Sequence, residues 1–282
     1  MKTLGEVLTL STDFLKEKEC KRSRRIAEEL IGYILKLKRL DLYMQFDRPL
    51  VEIELEELRS LLKRAVKGEP LEYITGEVSF YDCAIAVSPH VLIPRPETEI
   101  LVDLACKQLK QMPLQGKIAW DLCTGSGCIG IAVKKACPDL EMVLSDISED
   151  ALSVAEANAQ NNQVQVEIVQ GDLFAPFASR KADFIFCNPP YISNKEYLNL
   201  DESVKDFEPK TALVAEEDGL AFYRLLKESL PKYLNPGGWV FLELGTGQGE
   251  ALLNLFSGPQ WKGARVEKDW AGHDRFFFLE FE

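Results

Sequence analysis

Apolar residues fall at helical intervals through the first 70 or so positions. Leu4, Val7, Leu8, Phe14 and Leu15 form one stripe, and Ile26, Leu30, Ile34 and Leu37 a second. Leu55, Leu58, Leu62 and Ala65 make a third, which Gly68 and Pro70 stop. Three or more short helices sharing a small core are predicted there. Residues 77–93 (EVSFYDCAIAVSPHVLI) alternate instead, with β-forming residues on both sides of Tyr81-Asp82, which predicts a hairpin. A helix follows: Pro94, Pro96 and the acidic Glu97 and Glu99 precede Ile100, Leu101, Leu104, Ala105 and Leu109, and Met112-Pro113 ends it.

From Lys117 onward strand and helix patterns take turns. Residues 118–120, 141–145, 164–169, 182–187 and 239–244 read as strands, and residues 130–137, 149–161 and 220–234 as helices. Such β-α repetition implies a mostly parallel sheet with helices on both faces. The end differs: residues 264–269 and 275–282 are two strands separated by Trp270-Ala271-Gly272-His273-Asp274, close enough for an antiparallel hairpin at the sheet edge. The predicted division is a helical domain over 1–75, a linking hairpin over 76–93 and an α/β domain over 94–282.

Composition narrows the class. The chain has 282 residues, 46% of them apolar, so a packed globular fold is expected rather than a disordered chain. Its net charge of −12 is unevenly placed: residues 1–50 carry 11 Lys/Arg against 8 Asp/Glu, and the remainder 22 against 37. The acidic majority argues against a sequence-independent grip on a long duplex, which requires a basic track. Lys21, Arg22, Arg24 and Arg25, with Lys36, Lys38 and Arg39, read either as solvated helix faces or as a local docking patch. No leader pattern and no run of 18 apolar residues appear, so a cytosolic protein without membrane contact is expected. Seven cysteines without a CxxC pair read as reduced, mostly buried thiols. With only His90 and His273 available, no metal is expected.

The chemistry gathers where strands end. Asp121-Leu122-Cys123-Thr124-Gly125-Ser126-Gly127 follows a strand and opens a helix, and Gly125 and Gly127 permit a tight turn and close approach of backbone N–H groups to a ligand. The next strand ends at Asp146, whose carboxylate can accept two ribose hydroxyls, and the third leads to Asp172-Leu173-Phe174, where Asp172 can accept from an exocyclic amine and Leu173 or Phe174 can lie against a purine. An acid at Asp121 would repel a pyrophosphate, so a nucleoside carrying positive charge fits better than a dinucleotide. The fourth strand delivers Asn188-Pro189-Pro190-Tyr191. Asn188 offers a side-chain carbonyl, and the prolines remove backbone donors, leaving the Pro189 carbonyl to accept. A planar NH2 group would be held there by both hydrogens, with Tyr191 beside its plane, and orientation and polarisation would supply much of the catalysis. Cys123 and Cys187 lie nearby without a histidine and read as small fillers, not nucleophiles.

These motifs, together with Ile93-Pro94-Arg95-Pro96-Glu97-Thr98-Glu99 and Gly272-His273-Asp274-Arg275, resemble the bacterial release factor N5-glutamine methyltransferases, a family of class I S-adenosylmethionine-dependent methyltransferases. The resemblance covers essentially the whole chain. It implies a Rossmann-like seven-stranded, mostly parallel sheet with an antiparallel C-terminal edge hairpin, and a small N-terminal substrate-recognition domain. It further implies methylation of the glutamine amide in the Gly-Gly-Gln loop of class I release factors, with S-adenosylmethionine as cofactor and no stable nucleic-acid complex, by a monomer. Asp121, Thr124, Gly125 and Gly127 would hold the methionine part, Asp146 the ribose, and Asp172 with Leu173 the adenine. Asn188, Pro189, Pro190 and Tyr191 would receive the substrate amide, Asn188 also bordering the cofactor, and Arg95 and Glu97 would flank the pocket. Where the family pattern often has glycine, this chain carries Cys123.

Two other readings use the same residues. An adenine-N6 or guanine-N2 methyltransferase would present an exocyclic amine to Asn188, but no basic block after Tyr191 resembles a target-recognition domain. A noncatalytic binding module would have no use for Asp146, Asp172 and Asn188 together. The long segment 192–214 suggests a lid or docking surface.

Overall fold

Thr3 opens helix α1 (Leu4–Glu17) with a reciprocal cap: its hydroxyl accepts from the Glu6 N–H at 3.3 Å while the Glu6 carboxylate accepts from the Thr3 N–H at 2.8 Å. Helices α2 (Ser23–Leu35), α3 (Arg39–Met44), α4 (Glu52–Val66) and α5 (Leu71–Thr75) follow. The computed structural model describes residues 2–215 and 218–282 and forms two compact units. The first contains residues 2–76 and also 201–207; the second contains 77–200 and 208–282.

In the first unit, Leu4, Leu8, Leu15, Leu30, Leu58 and Leu62 meet in one core, as the helical stripes predict. Phe14 departs from its stripe and stays 36% exposed. Much of the basic cluster is committed internally. The Glu28 carboxylate is buried and accepts from Arg24 Nε at 2.8 Å, Arg39 Nε at 2.6 Å and the Tyr43 hydroxyl, while Arg25 pairs with Glu29 at 2.6 Å. Arg24 and Arg39 thus satisfy a buried acid within the unit, while Arg25 makes an exposed pair along its own helix.

The second unit begins with the hairpin β1 (Glu77–Phe80) and β2 (Cys83–Ala86), then α6 (Pro96–Leu109), β3 (Ile118–Leu122), α7 (Cys128–Ala136), β4 (Glu141–Asp146) and α8 (Glu149–Asn161). Next come β5 (Glu167–Gln170), β6 (Ala182–Cys187) and α9 (Asn194–Tyr197); α10 (Glu202–Lys205) lies in the first unit. The chain closes with α11 (Ala221–Tyr233), β7 (Leu234–Glu243), α12 (Gly249–Leu255), β8 (Trp261–Lys268) and β9 (Asp274–Phe281).

Tyr81 and Asp82 both take positive φ, +43° and +60°, the two-residue turn whose twist matches the strands it joins. The hairpin is shorter than the alternation to residue 93 suggests, ending at Ala86. Asn158 of α8 and Asn162, which caps that helix, take over the role of a neighbouring strand. Asn158 accepts from the Ala86 N–H at 2.7 Å and donates to the Ala86 carbonyl at 2.9 Å, and Asn162 treats Ala84 the same way at 3.2 and 2.8 Å. The hairpin is therefore stapled into the second unit by side chains, not left as a free linker.

The large sheet has the order β5-β4-β3-β6-β7-β9-β8, parallel through β7, with β9 antiparallel to both of its neighbours. This is the Rossmann-like architecture expected. The chain runs outward from β3 through β4 to β5 and then returns to β3's other side as β6, so a topological switch lies between β3 and β6. Crevices for ligands form at such points, beyond the carboxyl ends of the strands. One row across the sheet, Leu122, Cys187, Leu242 and Phe277, is buried with Tyr223 and Leu226 of α11. The next row, Asp121, Phe186, Phe241 and Phe278, lies on the opposite face by strand alternation. β7 starts earlier than predicted because Leu234 already pairs with Ala182, and α12 was not predicted at all. No helix among the described residues is long and apolar enough to cross a membrane.

Phe241 sits 5.0 Å from the Phe186 ring in a stack and 5.0 Å from Phe278 edge-on. Phe241→Ala is expected to lower stability by about 3–5 kcal/mol, measured by urea denaturation. A loss under about 1 kcal/mol would show that these rings do not hold the central strands together.

Candidate active site

Register alone brings the predicted loops to one edge. Asp121 pairs with Leu144 on one side and Phe186 on the other, and Leu122 with Ser145 and Cys187, so β3, β4 and β6 end side by side. The loop after β3, Asp146 at the end of β4 and Asn188 after β6 consequently border one cleft of about 160 Å³. Its wall is drawn from residues 90–98, 123–129, 146–151, 171–173, 188–190 and 209–212, with Phe222.

The glycine-rich turn is shaped by a buried acid. Asp121 is fully buried; its Oδ2 accepts from the Thr124 hydroxyl at 2.6 Å and from the Gly130 N–H at 2.9 Å. Gly127 has φ +81°, and a Cβ there would lie 2.9 Å from Ile131 Cδ1 and 3.2 Å from Ala155 Cβ, so this glycine lets the start of α7 pack on its neighbours. Gly125, at φ +54°, donates its N–H to Asp146 Oδ2 at 2.9 Å. Asp146 Oδ1 accepts from the Ser148 N–H at 3.0 Å. Each oxygen keeps a lone pair for a further donor. Cys123 takes φ +55°, the left-handed region in which a side chain costs about 1 kcal/mol, and packs toward the cluster containing Cys187.

The two predicted groups separate into lining and supporting residues. Thr124, Gly125, Asp146, Asp172, Leu173, Asn188, Pro190 and Arg95 line the cleft. Asp121, Gly127, Pro189, Tyr191 and Glu97 are not among its lining residues. Asp121 and Gly127 lie behind the turn because its hydrogen bonds and close packing draw them into the sheet. Glu97 is exposed on the first turn of α6, while the following residue, Thr98, is buried and lines the cleft. Arg95 is already paired: its Nη2 donates to Glu208 Oε1 at 2.6 Å, and the buried Glu208 also accepts from the Ile93 N–H at 3.2 Å.

Sequence reasoning missed Glu208 and Glu243. Glu243 ends β7 and is 1% exposed. Its Oε2 accepts from the Thr98 hydroxyl at 2.7 Å and its Oε1 from the Tyr191 hydroxyl at 3.3 Å. An acid at a strand's carboxyl end was the signal used for Asp146, and the same signal would have found Glu243. Glu208 carries no such mark, since only the fold brings it to Ile93 and Arg95.

Burial pushes the Asp121 carboxyl up to about 7, the Thr124 and Gly130 donors pulling it back and the Asp146 charge adding to the rise. Its Oδ1 is buried without a hydrogen-bond partner among the described residues. Burial also raises the Glu243 carboxyl, while Thr98, Arg275 and Tyr191 oppose the shift.

A parallel sheet with its cleft at the switch point and Asn-Pro-Pro-Tyr at the end of β6 defines the chain as a methyltransferase. Comparison with known proteins agrees: residues 98–205 match the family "Methyltransferase small domain" and residues 6–76 match "PrmC N-terminal domain". The Release factor glutamine methyltransferase of Geobacter sulfurreducens is 38% identical over 97% of this chain and 95% of its own. That of Chlamydia trachomatis serovar D is 40% identical over 98% and 94%. A methyltransferase structure from Pyrococcus furiosus shares the fold, with a TM-score of 0.51 at 20% identity over 80% of this chain and 98% of that one. The chain belongs to the release factor glutamine methyltransferases.

The raised Asp121 carboxyl has a consequence for stability. The folded chain keeps a proton there that the unfolded chain, at the ordinary value of 3.8, has released, so this group's contribution falls as pH rises from about 4 to about 7 and is level above. Asp121→Asn removes that loss. The stability of the variant relative to the parent should therefore climb between pH 5 and pH 7.5 in urea titrations of the ligand-free protein. An unchanged difference would mean that Asp121 is ionised across the range.

Proposed function

We propose that this chain transfers a methyl group from S-adenosylmethionine to the side-chain amide nitrogen (N5) of the glutamine in the Gly-Gly-Gln motif of class I peptide chain release factors. It does so as a cytosolic monomer with a protein substrate. The observation that carries the reading is relatedness over 97% of the chain to a release factor glutamine methyltransferase, with Asp146, Asn188 and Pro190 lining one cleft.

The donor set suits a nucleoside with positive charge. Asp121 Oδ1 is an orphaned buried acceptor behind the turn, and Asp146 and Asp172 add acid at the cleft wall. When bound, S-adenosylmethionine supplies an electrophilic methyl on a sulfonium centre. Asp146, oriented by the Gly125 and Ser148 N–H groups, would accept the ribose hydroxyls. Asp172 and Leu173 would receive the adenine, and Thr124 and Gly125 would border the cationic tail, with Asp121 shaping the turn from behind.

At the other wall Asn188 and the Pro189 carbonyl accept the two N–H bonds of the substrate amide. An amide nitrogen is a weak nucleophile because its lone pair is delocalised, so fixing its plane and polarising its N–H bonds are the contributions the chain can make. S-adenosylmethionine would supply the methyl group and leave as S-adenosylhomocysteine, while Asn188 and the Pro189 carbonyl would hold the amide nitrogen, whose surplus proton would pass to solvent. No strong base is required before attack.

The test is incubation with labelled S-adenosylmethionine and, in separate reactions, a release factor, the same factor with its motif glutamine replaced by alanine, and unmodified DNA or rRNA. Label is expected in the intact factor alone. Label in nucleic acid, or in the alanine-bearing factor, sinks the reading. Asn188→Ala should lower turnover by about a hundredfold while leaving cofactor affinity within about twofold. Asp146→Ala should weaken cofactor binding by about tenfold or more. Equal loss of cofactor binding in both variants would refute this division of labour.

A further inference from the structure

Tyr191 is held from two directions by the segment that ends β7. Its hydroxyl donates to Glu243 Oε1 at 3.3 Å, and its backbone carbonyl accepts from Gln248 Nε2 at 3.1 Å. Gln248 is itself fixed, its Oε1 accepting from the Gly245 N–H at 2.8 Å and its Nε2 also donating to the Gly219 carbonyl at 3.3 Å. Beyond Tyr191 the backbone is pinned again, the Ile192 N–H donating to the Leu213 carbonyl and the Ala215 N–H to the Ile192 carbonyl, each at 2.9 Å. Very little of this residue's position is left to the Asn-Pro-Pro-Tyr segment itself.

Glu243 is the unusual member. A carboxylate 1% exposed is costly to keep, and an aliphatic residue at the end of a sheet strand would pack there without that cost. The groups around it do not form a tight ion pair that would account for it. The Thr98 and Tyr191 hydroxyls donate to its two oxygens, and the Tyr223 hydroxyl donates to its backbone carbonyl at 2.8 Å. Arg275 faces it with opposite charge and Glu97 with like charge, but the Arg275 Nη1 and Nη2 donate to the Leu244 carbonyl and the Thr246 hydroxyl. The carboxylate's two oxygens instead join two elements far apart in sequence: Thr98, which lines the cleft from α6, and Tyr191, next to the cleft-lining Pro190.

We propose that Glu243 is a positioning residue for the methyl transfer, its carboxylate tying Tyr191, which stands behind the cleft-lining Pro190, to the Thr98 wall of the cleft and so fixing the Asn188–Pro190 turn that receives the acceptor amide. The assignment rests on the acceptor role given above to Asn188–Tyr191. Glu243 touches neither reactant; it acts through Tyr191. A carboxylate is suited to this because each of its two oxygens accepts from a different hydroxyl, whereas an amide would present an acceptor to one hydroxyl and a donor to the other. Its effect therefore belongs in kcat, where orientation counts, and not in binding of the cofactor or the protein substrate.

The test measures kcat, KM for the release factor and Kd for S-adenosylmethionine in the full chain. The variants are Glu243→Ala, Glu243→Gln, Tyr191→Phe, the Glu243→Ala/Tyr191→Phe double variant and Asn188→Ala. Glu243→Ala and Tyr191→Phe should each lower kcat by about tenfold to a hundredfold, with KM and Kd within about twofold, and the double variant should be no slower than the worse single. Glu243→Gln, which keeps the shape and can still bond both hydroxyls by reversing one, should recover kcat to within about threefold of the parent. If Glu243→Ala gives no cooperative melting transition, Glu243→Asp takes its place, since the shorter carboxylate cannot span both hydroxyls. It should lower kcat in the parent and cost nothing further with Tyr191→Phe. A double variant slower by the product of the two singles, or a change confined to Kd or KM, overturns the assignment. Asn188→Ala separates the two levels. If it loses turnover while Glu243→Ala does not, only the role of Glu243 fails; if it keeps full turnover, the acceptor site is misplaced and the role of Glu243 falls with it.

Discussion

The bond from the Gly130 N–H to the buried Asp121 carboxylate, with the Thr124 hydroxyl on the same oxygen, is the constraint on which the catalytic unit depends. It ties the end of β3 to the first turn of α7 and closes the intervening turn around a single oxygen. An acid inside the sheet is costly, and that cost is offset by donors supplied from the backbone of a helix start, where N–H groups lack partners of their own. Once that turn is closed, Gly125 is presented to Asp146 and the two strand ends act as one rim. The remaining Asp121 oxygen stays unpartnered among the described residues.

Parallel pairing does the rest of the assembly. Because β4 and β6 flank β3 in near-level register, residues about 67 positions apart, Asp121 and Asn188, are brought to the same edge without any direct bond between them. Asp146 and Asp172 then lie on the β4 and β5 side and Asn188 on the β6 side. Under the proposed roles, the switch point would separate the acids suited to a cation from the residues suited to a neutral amide. The acidic charge of the chain thereby acquires a local meaning that its total of −12 does not convey.

Side chains reaching across the fold complete the walls. Asn158 and Asn162 replace strand partners for the hairpin, Glu208 takes up Arg95, and Glu243 takes up Thr98 and Tyr191. Each of these is a buried or half-buried polar group satisfied by a residue far away in sequence, the kind of contact that specifies one arrangement among many with similar apolar packing.

The local pattern was enough for most of the helices, the parallel strands, the antiparallel edge and the rim positions Gly125, Asp146, Asp172 and Asn188, though not for α12. Periodicity, turn chemistry and strand-end position are properties of neighbouring residues, and they survive in the folded state because the core rewards them. What the sequence could not contain was distance between remote residues. Asp121 and Gly127 were expected against the ligand but stand behind the turn, since packing with α7 and α8 claims them first. Glu97 was expected at the pocket, yet the angular step of one residue along α6 leaves it exposed and turns Thr98 inward. The arginines that looked like a docking face are largely bound to Glu28 and Glu29. Glu208 and Glu243 had no visible partner at all until β6, β7 and the loop before α6 came together. A hydrogen bond between distant positions is decided by the sheet order and register that place its two ends, and only the tertiary structure supplies those.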